Sequence, residues 1–149
     1  MWLGATSLLT GCGGGRRTTT GLIRRVNPPS ASIQSLAFAQ GSARIVVRLQ
    51  NFSTVPTTYS LVDAELALAN RGAGRLRFDP QITIPALSSD VVETRLTVLP
   101  EAAAVLAAHR EGVPYTLVGS ITTTDPAGRN DFQFEGALAP VPGRPGEYR

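Results

Sequence analysis

The chain contains no lysine; all 14 of its basic residues are arginine, a usage that follows from genome composition as readily as from function. It has one cysteine, one histidine and one methionine. A single cysteine excludes an internal disulfide and a cysteine-based zinc site. One His, one Cys and one Met cannot build a soft-metal centre. After Cys12 no apolar run approaches the roughly 20 residues of a membrane-spanning helix. A basic surface stripe is missing too. Without the doublets Arg16-Arg17 and Arg24-Arg25, 10 basic residues face 11 acidic ones, so the body of the chain is nearly neutral. Nucleic-acid binding is not expected of such a domain. No Asp-x-Asp-x-Asp-Gly calcium loop occurs. Gly13-Gly14-Gly15 lacks the preceding strand and following Gly-Lys of a phosphate loop.

What is present begins at the N-terminus. Residues 1–11 form a short apolar run ending in small residues before Cys12. Leu9-Thr10-Gly11-Cys12 resembles the lipobox of bacterial lipoproteins, which implies cleavage before Cys12 and acylation there. A single acyl chain holds a protein marginally and two or more hold it firmly. Secretory leaders begin with a basic segment and run longer than this, so the true start is expected upstream of Met1. Gly13 follows the cysteine where an Asp would favour inner-membrane retention. The resemblance therefore implies an outer-membrane protein facing the periplasm of a Gram-negative envelope. Residues 12–29 have the composition of a flexible Gly/Arg/Thr linker. Its arginine doublets serve solubility, contact with anionic headgroups being the alternative.

From residue 30 to residue 138 the hydrophobic period is two. Ile45, Val47 and Leu49 alternate with polar residues, as do Val92, Thr94, Leu96 and Val98. Tyr115, Leu117, Gly119 and Ile121, then Phe132, Phe134, Gly136 and Leu138, flank Asp125-Pro126-Ala127-Gly128 and predict an antiparallel hairpin. Ile33 and Leu36 are out of phase, and the apolar set of Tyr59–Ala69 changes phase near Leu61. Both shifts predict β-bulges. Residues 70–74 are expected to turn. A helix is expected from Pro100 to Arg110, opened by proline, rich in alanine and stopped at Gly112. The expectation is an all-β, immunoglobulin/fibronectin-III-like antiparallel sandwich of about seven strands with one short helix in a late connection. Residues 139–149, with three prolines and two glycines, are expected to form a disordered tail.

Asn27-Pro28-Pro29, Val47-Arg48-Leu49-Gln50-Asn51, Val62 to Leu68, Ile84-Pro85-Ala86-Leu87, Tyr115 to Gly119 and Phe132 to Gly136 together carry a further resemblance. The chain from about Val26 to Leu138 resembles the late embryogenesis abundant type 2, or water stress and hypersensitive response (WHy), domain. Phe52 stands where that family usually has proline, which comes here at Pro56. The resemblance implies a fibronectin-like fold, bacterial lipoprotein members and a role in desiccation or stress protection. It implies no catalytic residues.

Residue by residue, catalytic chemistry finds little support. His109 lies near a helix C-terminus, where capping and packing explain it better than a triad. Asp90 and Glu93, three apart on a strand, point to opposite faces. Asn51-Phe52-Ser53 matches a glycosylation sequon by chance. Gly119 and Gly136 sit in mid-strand, which marks either local twist or a groove or edge where a partner approaches. The sequence therefore predicts a non-catalytic lipid-anchored envelope protein without cofactor, metal or small-molecule substrate. The alternative is an accessory subunit that binds an envelope protein through a sheet edge.

Overall fold

The computed structural model describes residues 23–149. Strands form where apolar and polar residues alternate. Ser30–Ala39 (β1), Ser42–Gln50 (β2), Thr57–Leu68 (β3), Arg71–Phe78 (β4), Ile82–Ile84 (β5) and Ser89–Thr97 (β6) precede a helix, Pro100–Ala108 (α1). Val113–Asp125 (β7), Ala127–Leu138 (β8) and Glu147–Tyr148 (β9) follow. One sheet has the order β6-β2-β1-β9; the other has β4-β3-β7-β8, with β5 also paired to β3. The chain changes sheets between β2 and β3, between β5 and β6, between β6 and β7 through α1, and between β8 and β9. All pairings are antiparallel. Placing β1, β2 and β6 against β4, β3, β7 and β8 is the strand division of an immunoglobulin-like sandwich. The two strands beyond the expected seven, β5 and β9, have three and two residues.

The inward face of β2 supplies Ile45, Val47 and Leu49, all fully buried. They meet Val62, Leu66 and Leu68 of β3 and Leu117 and Ile121 of β7 in one core. The phase changes are bulges, as expected. In β1 the pairing steps from Ile33↔Val47 to Ser35↔Val46, leaving Gln34 as the extra residue. In β3 it steps from Tyr59↔Thr123 to Leu61↔Thr122, leaving Ser60 extra. Each inserted residue returns the apolar side chains to the core face, which a one-residue slip would otherwise expose. The helix closes one end of the sandwich, burying Ala102, Val105 and Leu106.

Three expectations need correction. Residues 70–74 are not a turn: β4 begins at Arg71, and Leu68↔Arg71 closes a two-residue loop. That loop is Ala69-Asn70, with φ of 49° and 62°, the sign that a twisted hairpin requires at both positions. Alanine is strained there, so Ala69→Gly is expected to stabilise the domain by about 1 kcal/mol, measured as a higher urea midpoint with unchanged slope.

The tail 139–149 is not disordered. Ala139 and Arg149 exchange backbone hydrogen bonds of 2.7 and 2.9 Å, and Val141 N donates to Glu147 O. β9 then pairs with β1 at Leu36↔Tyr148 and Ala37↔Glu147. Gly143 and Gly146 supply the positive φ of the return, so residue types read as disorder signals instead make a tight reversal.

The last seven residues of the linker, 23–29, are not free either. Thr54 N donates to Arg25 O at 2.9 Å, Arg25 N donates to Thr54 Oγ1 at 2.7 Å, and Asn27 N donates to Ser53 Oγ at 2.8 Å. The extended backbone imposed by Pro28 and Pro29 leaves these groups available to the 51–55 loop.

Candidate functional site

Gly119 lies on β7, between Ala64 of β3 and Phe132 of β8. A Cβ there would collide with the Asp63 carbonyl oxygen and the Ala64 Cα, and would lie 2.7 Å from the Ala64 Cβ. Gly119 is also among the residues lining a groove of 620 Å³, with Asp63, Glu65, Arg75, Arg129 and Asp131. Gly119 stands on an inner strand of its sheet. Gly136 belongs to β8, an edge strand, but opens no groove. The buried Tyr115 ring occupies the space beside it, 2.8–3.0 Å from where a Cβ would stand. The Tyr115 hydroxyl accepts from Ile33 N at 3.0 Å and donates to Ile33 O at 3.4 Å. Gly136 therefore makes room for a tyrosine that ties the two sheets together at the β1 bulge.

The groove is polar, and Asp63 on its wall is engaged by two arginines. Arg75 donates to both Asp63 carboxylate oxygens at 2.7 Å, and Arg77 adds a third bond at 3.1 Å. The hydrogen bond from Arg75 holds the Asp63 carboxyl below its ordinary range, so Asp63 is ionised and serves poorly as a proton donor near neutrality. This fork depends on the register of β3 against β4, which brings Arg75 and Arg77 across from Glu65 and Asp63. No motif in the linear sequence announces it.

The remaining candidates are dispersed. The His109 Nδ1 lies 2.8 Å from the Val105 carbonyl oxygen, a capping contact just past α1. Asp90 accepts from Val91 N at 2.7 Å. Glu93 approaches Arg44 at 4.0 Å with both side chains more than half exposed, a geometry that contributes little. Among the described residues no three His, Cys, Asp or Glu side chains gather to hold a metal ion, and no helix is long and apolar enough to cross a membrane. Cys12, Gly13 and the Arg16-Arg17 doublet lie outside the described residues. The free edges of β6 and β8 carry Asp90, Glu93, Arg95, Arg129, Asp131 and Glu135, charges of the kind that blunt edge-to-edge pairing.

The most developed polar constellation is at Asn51, the residue after β2. Its side-chain amide donates to the carbonyl oxygens of Val55 (2.9 Å), Ile84 (3.1 Å) and Pro85 (3.0 Å). Its Oδ1 accepts from Ser53 N at 2.9 Å and Thr57 Oγ1 at 3.4 Å. Asn51 is 1% exposed, so the sequon at this position has no room for a glycan. Ser53, also buried, accepts from Asn27 N and donates to Asn27 O. Asn51 thus connects the end of β2, the β5 exit and, through Ser53, the arm leading toward Cys12. The alternation pattern could not reveal this hub; the strand-ending asparagine of the domain resemblance was its one signal.

No family model matches the chain, and no curated protein matches it. Among solved structures, that of a protein from Archaeoglobus fulgidus aligns over 78% of this chain and 98% of its own, with 12% identity and a TM-score of 0.46. The solution structure of AT1g01470 from Arabidopsis thaliana aligns over 80% of this chain and 88% of its own, with 15% identity and a TM-score of 0.57. The likeness to the Arabidopsis protein is one of fold, and the fold of this chain is an all-β antiparallel sandwich.

Proposed function

We propose that this chain is a non-catalytic envelope lipoprotein of the late embryogenesis abundant type 2/WHy kind. In this reading acylated Cys12 holds it on the periplasmic side of an outer membrane, and the sandwich protects neighbouring components during water stress. The observation that carries the reading is the docking of the arm. Residues 23–27 are hydrogen-bonded to Ser53 and Thr54, so the chain reaches the domain at a defined pole. A tether attached in this way sets which end of the sandwich faces its anchor. The outward side chains of β2 and β3, among them Arg44, Arg48, Gln50, Thr58, Ser60, Asp63 and Glu65, suit a module that works by remaining folded and hydrated beside other molecules.

The test has two arms. Cells expressing the protein and fed a labelled fatty acid are expected to label it, and Cys12→Ser to abolish the label; an unlabelled wild type in a full-length gene removes the anchor. The purified Cys12→Ser chain is expected to preserve an unrelated enzyme through drying better than an equal mass of albumin. Equal losses would remove the protective role, and one stoichiometric cross-linked partner in intact cells would assign the protein to an envelope complex instead.

A further inference from the structure

Exposed apolar side chains gather at the pole where the arm docks. Ile23 (72% exposed), Val26 (56%), Phe52 (48%) and Leu87 (56%) are four of the seven large hydrophobic residues that stand exposed among the described residues. They come from three segments joined by hydrogen bonds. Asn27 Nδ2 donates to Phe52 O at 2.8 Å, Thr54 Oγ1 donates to Ile23 O at 2.6 Å, and Leu87 N donates to Ser53 O at 3.0 Å. Leu87 is held at a φ of 54°, a conformation that disfavours leucine, while its side chain faces water. Neither choice helps the free domain, and strain of this sort concentrates where a surface has a use.

The exposed Arg24 and Arg25 lie within the same arm. Apolar side chains flanked by arginines match the boundary between acyl chains and anionic headgroups. The direction of the chain selects the same occupant. Ten residues separate Cys12 from Ile23, eleven steps of chain that span about 40 Å at full extension, so an anchor at Cys12 confines this pole to the neighbourhood of the bilayer.

We propose that the pole formed by the arm, the Phe52 loop and the Leu87 turn is a membrane-contacting surface that inserts its apolar side chains into an anionic bilayer interface. The proposal deepens the lipoprotein reading and rests on it for orientation, but the contact itself needs no acyl chain.

The test uses the full chain carrying Cys12→Ser and Trp2→Phe, with one indole introduced by Phe52→Trp or, at the opposite pole, by Leu99→Trp. Leu99 is 47% exposed, so the two sites start from similar environments. Vesicles of equimolar phosphatidylglycerol and phosphatidylcholine carry bromine on their acyl chains. The Phe52→Trp protein is expected to shift its emission to the blue and to be quenched several-fold more than the Leu99→Trp protein. Adding Leu87→Ser, or Arg24→Gln with Arg25→Gln, is expected to reduce that quenching while the far-ultraviolet spectrum stays unchanged. Equal quenching at both sites, or none at residue 52, would overturn the proposal. So would a blue shift at residue 52 that follows protein concentration without lipid, which would assign the patch to a second copy of the chain. Because no acyl group is present, failure here leaves fatty-acid labelling at Cys12 unaffected, and failure of that labelling leaves the quenching result intact.

Discussion

Gly119→Ala is expected to destabilise the domain by about 3 kcal/mol or more, and Gly119→Val by more still. Overpacking of a core by flexible side chains costs about 1–3 kcal/mol. Here the added carbon meets backbone, the Asp63 carbonyl oxygen and the Ala64 Cα, and neither can turn aside as a side chain would. Relief requires β3 and β7 to separate at the centre of their sheet, where ladder pairing continues on both sides of Gly119. At about 3–5 °C per kcal/mol, intermediate between smaller and larger domains, the melting temperature should fall by about 10 °C or more. Gly136→Ala provides the internal comparison. Its added carbon meets only the Tyr115 ring, and a shifted ring strains two hydrogen bonds to Ile33, so about 1–2 kcal/mol is expected. Paired urea melts measure both; a Gly119→Ala variant as stable as wild type would show that the strands relax there without loss.

Asn51 carries the second large effect. Asn51→Leu keeps the bulk but removes the donor to the carbonyls of Val55, Ile84 and Pro85, together with the acceptor for Ser53 N. Leaving buried polar groups without partners costs about 1–3 kcal/mol each; after relaxation about 3–5 kcal/mol is expected in total. Asn51→Asp gives a pH signature that mere loss of packing would not. An introduced carboxylate would be buried against three carbonyl oxygens, so its pKa should rise in the folded state above its unfolded value. The folded variant then binds more protons than the unfolded one, and the deficit relative to wild type should be smallest at acid pH and grow as pH rises toward neutrality. Urea melts across that range check the sign, and a deficit independent of pH would show that water reaches the site. Because Ser53 lies between Asn51 and Asn27, either substitution should also loosen the arm, seen as faster proteolysis after Arg24 or Arg25.

The Asn51 hub and the arginine fork at Asp63 mark the limit of what the linear chain discloses. Both bulges were legible: an extra residue in a strand inverts the phase of every side chain after it, and the apolar residues around Gln34 and Ser60 record that inversion. The helix was legible from its proline and its alanines, ending at Ala108 rather than Arg110. Glycine and proline misled. Gly72 and Gly74 suggested a turn but lie within β4, where an added Cβ at Gly74 would stand 2.8 Å from Thr97 O on β6. Gly143, Gly146 and their flanking prolines suggested disorder but return the chain to β1. In each case a residue without a side chain, or without an N–H, signals either freedom or close approach, and the neighbour that decides is distant in sequence.

The amino-acid sequence by itself determined most of the strands, the bulges at Gln34 and Ser60, the helix and hence the all-β class, because alternation between water and core is a property of consecutive residues. Tertiary structure alone decided which glycine lies against a neighbouring strand's backbone and which shelters a tyrosine, which carboxylate meets two arginines, and which loop receives the arm. Those outcomes depend on register and sheet order, which join residues 12 to 82 positions apart, and no local pattern encodes the distance between two strands that meet only when the sandwich closes.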